Sequence, residues 1–107
     1  MKKLLYLLLI VSGVAFSQIK VIHFNAGWNG ANDVGWMEDL SDCNIKYIDI
    51  ATDAQAGTDW KISVVPTILI IVDGEEEERY QADISFSMKA TKEEVQEAID
   101  ELLMDQF

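Results

Sequence analysis

Apolar residues are distributed along this chain in a pattern that is typical of a small α/β domain. Two runs with little polar interruption, "IKVIHF" at 19–24 and "TILIIV" at 67–72, predict buried strands. A third run, "IKYIDI" at 45–50, predicts another strand. The dipeptide Asp73-Gly74 is a hairpin signal, so residues 77–83 are expected to return as an antiparallel strand.

Three helices are predicted between and after these strands. Residues 33–40 place Val34, Met37 and Leu40 on one face, and residues 54–60 form a weaker helical pattern. Thr91 followed by Glu94 predicts a capping box at the start of the last helix. The apolar positions that recur at helical spacing after it are Val95, Ala98, Ile99 and Leu102. The order β-α-β-α-β-β-α predicts an α/β fold with a four-stranded mixed sheet.

The first residues, "MKKLLYLLLIVSGVAFSQ", have the layout of a secretory signal peptide. Lys2 and Lys3 precede an apolar run, and Ala15-Phe16-Ser17 fits a cleavage site before Gln18. The expected organisation is a signal peptide at 1–17 and one domain at 18–107, in a secreted or periplasmic protein. The alternative is an uncleaved anchor, although the run is short for a membrane span.

The charge of the chain excludes several classes of partner. The formal net charge is −11 at pH 7, with 19 acidic and 8 basic residues. Phosphate backbones and anionic membrane surfaces both select clustered Lys and Arg. We therefore expect no nucleic acid and, once the signal is cleaved, no membrane partner. The run "EEEE" at 75–78 is interpreted as a solvated hairpin tip.

Two segments resemble the thioredoxin-like superfamily. "HFNAGWNGAND" is similar to the first strand and active loop that carry the family's Trp-Cys-Gly-Pro-Cys motif, and "ISVVPTILIIVDGE" is similar to the segment where a cis-proline precedes a central strand. The resemblance spans residues 19–103 and lacks the extra N-terminal strand and helix of full thioredoxins. It implies a minimal thioredoxin fold and a cis peptide bond between Val65 and Pro66.

The active loop departs from the family pattern at both cysteines. Position by position, the motif's Cys-Gly-Pro-Cys corresponds to Asn29, Gly30, Ala31 and Asn32. Amides cannot attack a disulfide or form one, so the resemblance implies a degenerate redox loop without catalytic residues. Because Asn is a favourable N-cap, one of the two asparagines is expected to cap the helix predicted after the loop.

Cys43 and His23 are the remaining candidates for chemistry. Cys43 is the only cysteine, so it can make no internal disulfide and no cysteine-based zinc site. It is interpreted as a small buried residue, with an intermolecular disulfide or a reactive thiol as the alternative. The only histidine, His23, corresponds to the family's buried acidic residue and is interpreted as a hydrogen-bonded strand residue. No metal and no cofactor are expected.

Three functions remain open at this point. The first is a protein- or peptide-binding module, in which Trp28, Val65 and Pro66 retain the groove that the resemblance implies for an extended peptide. The second is an oxidoreductase relative that uses Cys43 as a single thiol. The third is a structural or assembly component, for example of a virion or a secreted complex, in which the fold serves only as a scaffold.

Overall fold

A computed structural model describes residues 18–106, so the predicted signal peptide lies outside the described residues. The strands are β1 (Ile19–Asn25), β2 (Asn44–Asp49), β3 (Thr67–Val72) and β4 (Glu75–Gln81). The helices are α1 (Ala54–Asp59) and α2 (Lys92–Met104), with 3₁₀ segments at Gly27–Asn32 and Met37–Asp39. The predicted α/β class with a four-stranded mixed sheet is confirmed.

The sheet has the strand order β2-β1-β3-β4. β1 runs parallel to β2 and antiparallel to β3, and β3 pairs antiparallel with β4. The two central strands are buried on both faces, which explains their nearly unbroken apolar runs. Asp73 and Gly74 both have positive φ angles, 53° and 84°, as a two-residue type I′ hairpin requires. β4 begins two residues earlier than predicted, and Glu75 to Glu78 lie exposed within it.

The core consists of two apolar clusters, one on each face of the sheet. On one face Val21 and Ile70 pack with Met37 and with Val95 and Ile99 of α2. On the other face the buried residues are Ile22, Phe24, Leu69 and Ile71, and the partly buried Trp60 packs against them. The capping box of α2 is confirmed, since the Thr91 side chain accepts from the Glu94 N–H and the Glu94 side chain accepts from the Thr91 N–H.

The α-helix predicted at 33–40 is wrong, although Val34, Met37 and Leu40 are buried as expected. Asp33 has extended backbone, with φ −57° and ψ 144°, and its carboxylate accepts a hydrogen bond from the Asn25 side chain. A residue with ψ 144° cannot lie within a helix, so no helix begins at Asp33. Gly35 follows two residues later and disfavours a new start. Only the short 3₁₀ segment Met37–Asp39 forms.

Candidate functional site

The candidate site is the loop that leaves the end of β1. Its 3₁₀ segment Gly27–Asn32 turns the chain so that the Trp28 side chain is 67 % exposed while Asn29 is only 6 % exposed. The segment before β3 lies next to Asn29. There the Val65-Pro66 peptide bond is cis, as predicted, and both residues are buried.

Asn29 is the centre of a hydrogen-bond network among amide side chains. Its Nδ2 donates to Oδ1 of Asn25 at 3.0 Å, and its Oδ1 accepts from Nδ2 of Asn32 at 2.8 Å. Nδ2 of Asn25 in turn donates to Oδ1 of Asp33 at 2.5 Å and to the Asn29 carbonyl at 3.1 Å. The loop is therefore cross-linked internally by neutral amides and one carboxylate.

Asn29 also connects the loop to two distant parts of the chain. Its Nδ2 lies 3.5 Å from the carbonyl oxygen of Val65, beside the cis bond, and 3.3 Å from the carbonyl oxygen of Phe86. These are long contacts, but both carbonyls belong to segments that are remote in sequence. A single buried side chain thus faces the cis-proline segment and the β4–α2 connection together.

This arrangement corrects the expected role of the asparagines. The 3₁₀ segments begin after Ala26 and Trp36, and neither of these residues caps its segment through a side-chain hydrogen bond. Asn29 and Asn32 are inside the first segment, so neither caps the predicted helix. Instead of capping a helix, their amides hydrogen-bond to each other and to neighbouring groups, so the buried polar atoms are paired.

The connection between β4 and α2 contributes an aromatic ring to the site. Phe86 has a φ of 62°, and its ring meets that of Trp28 edge to face at a centroid distance of 5.5 Å. The turn is held by Asp83, whose Oδ1 accepts from the backbone N–H and the hydroxyl of Ser85. These bonds lower the pKa of Asp83 to about 2.

The exposed apolar residues at the site are Trp28 and Phe86, whose rings meet, and Ile84, which lies two residues before Phe86; these three are here called the Trp28 surface. Ile84 is 99 % exposed and Phe86 is 43 % exposed. Of the three predicted groove residues, only Trp28 presents its side chain to solvent. Phe86 and Ile84 were missed by the sequence analysis. Their signal is the apolar pair in "DISFS", a segment that is otherwise polar and too short and isolated to be predicted as a strand.

His23 is the buried strand histidine that was expected. It is 3 % exposed, and its Nε2 accepts a hydrogen bond from the Val34 N–H at 3.1 Å. Burial lowers the pKa of His23, against the opposing effect of the Asp33 carboxylate. A neutral imidazole with Nε2 as acceptor matches this hydrogen bond, because an imidazolium would have no acceptor to offer.

A cleft of roughly 360 Å³ lies beside the loop, at the carboxyl ends of the two parallel strands. Its walls include His23 and Asn25 from β1, Tyr47 and Asp49 from β2, and Gly27 and Asp33 from the loop. The Tyr47 hydroxyl donates to the Glu38 carboxylate, and this hydrogen bond, above all, raises the pKa of Tyr47 to about 12. The cleft was not predicted, because it depends on the pairing of β1 with β2.

Cys43 is remote from the site. It precedes β2, whose first residue, Asn44, pairs with Lys20 near the start of β1, whereas the candidate loop follows the end of β1. The side chain is half-buried against the core, and burial, then the charge of Asp42, raise the pKa of its thiol.

Residues 18–106 contain no group of three or more His, Cys, Asp or Glu side chains placed to hold a metal ion. Within the same range, no helix is long and apolar enough to cross a bilayer.

Solved structures similar to this one include several thioredoxins. A mutant thioredoxin from Halobacterium salinarum superposes with a TM-score of 0.64 at 16% identity, over 80% of this chain and 75% of that one. The Schistosoma mansoni thioredoxin gives 0.62 at 18% identity, over 90% and 86%. The Fasciola hepatica thioredoxin gives 0.57 at 19% identity, over 89% of both chains.

Sequence comparison adds nothing to this likeness, since no protein-family profile and no curated protein matches the chain. At sequence identities below 20%, these structural superpositions establish a shared fold and nothing further. The chain therefore has a thioredoxin-like fold, as its two motif segments indicated.

Proposed function

We propose that this chain is a redox-inactive thioredoxin-like protein that binds a protein or peptide segment at the Trp28 surface after export. The observation that carries the proposal is the position of Asn29. Its amide lies beside the carbonyl of Val65 at the cis-proline, where the resemblance places the attacking cysteine of an active thioredoxin. An amide side chain cannot act as a thiolate nucleophile. Cys43, the only cysteine of the sequence, directly precedes the start of β2, at the opposite end of the sheet from the loop.

The loop retains what a binding site needs. Asn29 and Asn32 pair with each other and with Asn25, so the loop keeps a defined shape without a disulfide. Trp28 and Phe86 present a rigid aromatic pair next to it, and exposed aromatic residues are enriched among binding hot spots. The carbonyl of Val65 already faces the Asn29 amide. We therefore place the contact on side chains of the Trp28 surface more than on backbone pairing at the cis bond.

Export is part of the proposal and has its own test. The basic start, apolar run and small residues before Gln18 motivate it. N-terminal sequencing of the protein recovered from outside the cytoplasm of an expressing cell should begin at Gln18. Protein that is recovered with Met1 and sediments with membranes would instead support the uncleaved anchor.

The absence of redox activity is tested with an insulin-reduction assay. The protein and its Cys43→Ser variant are expected to give the same rate as buffer, because neither Asn29 nor Asn32 can form a mixed disulfide. A turnover that Cys43→Ser abolishes would favour the single-thiol oxidoreductase instead.

Peptide binding is tested by selecting peptides from a displayed random library on the immobilised protein. The affinity of each enriched peptide is then measured for the unmodified protein and for two variants. Trp28→Ala removes the centre of the Trp28 surface, and Met104→Ala removes a side chain that is 73 % exposed near the end of α2. We expect binding to Trp28→Ala to be weaker by about thirtyfold, the loss that corresponds to a hot-spot residue at about 2 kcal/mol, and none of that loss in Met104→Ala. Equal binding to all three proteins, or no enriched peptide, would leave the scaffold hypothesis as the better account.

A further inference from the structure

The cleft at the carboxyl ends of β1 and β2 is lined by negatively charged side chains. Asp33 and Asp49 stand on its walls, and the Glu38 carboxylate is hydrogen-bonded to the hydroxyl of a third wall residue, Tyr47. The two ion pairs that the structure gives within residues 18–106, Arg79 with Glu76 and Lys89 with Asp83, involve none of these carboxylates.

The carboxylates are held in place by neutral groups. Oδ1 of Asp33 accepts from the Asn25 amide, and Oδ1 of Asp49 accepts from the backbone N–H groups of Gly27 at 3.2 Å and Ala51 at 2.8 Å. These donors fix the direction of the carboxylates and carry no charge that would neutralise them. The cleft is thus an ordered anionic recess, which favours a cationic ligand group.

The other walls suit a cation as well. Burial lowers the pKa of His23, so the imidazole adds no positive charge near neutral pH. Tyr47 is 53 % exposed and offers an aromatic face, against which an ammonium or guanidinium group is stabilised. Gly27 leaves room at the entrance, because a Cβ atom there would stand only 3.3 Å from Oδ2 of Asp49.

The position of the cleft connects it to the Trp28 surface. Gly27 and Gly30, which flank Trp28 closely in sequence, both line the cleft. The cleft therefore adjoins the backbone of the loop that carries Trp28, and Asp33 and Asp49 are the carboxylates on its walls. Long basic side chains match this geometry, since their aliphatic stems tolerate apolar contact while the charged head reaches the carboxylates.

We infer that the cleft receives the charged head of a Lys or Arg side chain from the segment bound at the Trp28 surface. The partner is thus a basic segment in which Lys or Arg neighbours an apolar residue. This inference rests on the proposed function and specifies its ligand. The net charge of −11 acts in the same direction, because an acidic protein attracts basic segments over distances up to the Debye length.

The test uses two synthetic peptides, acetyl-Ala-Val-Arg-Val-Leu-Ala-amide and the same peptide with citrulline in place of arginine. Citrulline keeps the shape of the side chain and removes its charge. Each peptide is titrated into the ¹⁵N-labelled protein, and amide shifts are followed by NMR. We expect shifts at Gly27, Gly30 and Asp49, and roughly tenfold tighter binding of the arginine peptide at about 50 mM salt, with the preference shrinking at about 500 mM.

Matched charge variants locate the effect. Asp33→Asn with Asp49→Asn removes two carboxylates and preserves their acceptor oxygens, so the preference for arginine should disappear. Glu97→Gln with Glu101→Gln removes the same charge from the exposed side of α2 and should keep the preference. Retained amide dispersion shows that each variant is folded.

The outcomes separate this inference from the proposed function. Equal affinity for both peptides, with Trp28 shifted, would overturn the cation cleft and leave peptide binding intact. A preference that both variant pairs reduce equally would also overturn it, since the cause would then be the overall charge. If neither peptide shifts any amide, the cleft inference and the proposed peptide binding both fail.

Discussion

Replacement of Asn29 by alanine tests whether the loop is held by its amide network. Asn29 is 6 % exposed, and the substitution removes two hydrogen bonds of ordinary length, 3.0 Å to Asn25 and 2.8 Å from Asn32. Each such bond contributes roughly 0.5–1.5 kcal/mol, and the buried Oδ1 of Asn25 would lose its Asn29 donor at a further cost of about 1 kcal/mol or more. We therefore expect Asn29→Ala to lower the free energy of unfolding by about 2–4 kcal/mol.

Equilibrium urea denaturation followed by far-ultraviolet circular dichroism measures this loss, and two controls bracket it. Asn32→Ala removes one bond and takes the donor from Oδ1 of the buried Asn29, so it should cost about 1–2.5 kcal/mol. Asn44→Ala changes an exposed residue at the start of β2 and should stay within about 0.5 kcal/mol of the unmodified protein. If Asn29→Ala is no more destabilising than Asn44→Ala, the network does not support the fold and our account of the loop is wrong.

Three further predictions concern the reactivity of Cys43, an engineered disulfide in the loop and the titration of Asp83. Cys43 should react with a disulfide reagent near pH 8 more slowly than free cysteine, because burial raises its pKa; a faster reaction would contradict this. Asn29→Cys with Asn32→Cys, in a Cys43→Ser background, should form an internal disulfide on mild oxidation, seen by mass spectrometry, since the two native side chains meet at 2.8 Å. Its thiols should lack the acidity of an active thioredoxin, because no α-helix begins at the loop. The hydrogen bonds of Asp83 should add stability above its ordinary pKa of 3.8 and lose that effect as the pH falls towards 2, so its carboxyl ¹³C shift should titrate near pH 2 and not near 4.

The features that were predicted correctly depend on residues that are close to one another in the sequence. β3 has the predicted bounds because six consecutive apolar or β-branched residues, followed by a turn signal, favour a central strand that is buried on both faces. The Asp73-Gly74 turn and the capping box of Thr91 with Glu94 are complete within four residues. Such elements form from local chemistry, so the sequence predicts them.

The interior of the site depends on contacts that are distant in sequence. Asn29 faces Val65 and Phe86, which are 36 and 57 residues away. The Asp33 carboxylate accepts a hydrogen bond from Asn25 on β1. The cleft exists because β1 pairs in parallel with β2, which sets His23 beside Tyr47.

The sequence by itself determined that the loop carries two amide side chains, Asn29 and Asn32, because residue identity decides that chemistry. Only the tertiary structure decided what the amides do. The direction of a side-chain hydrogen bond depends on which backbone segments pack around it, and those segments meet only when the sheet has formed.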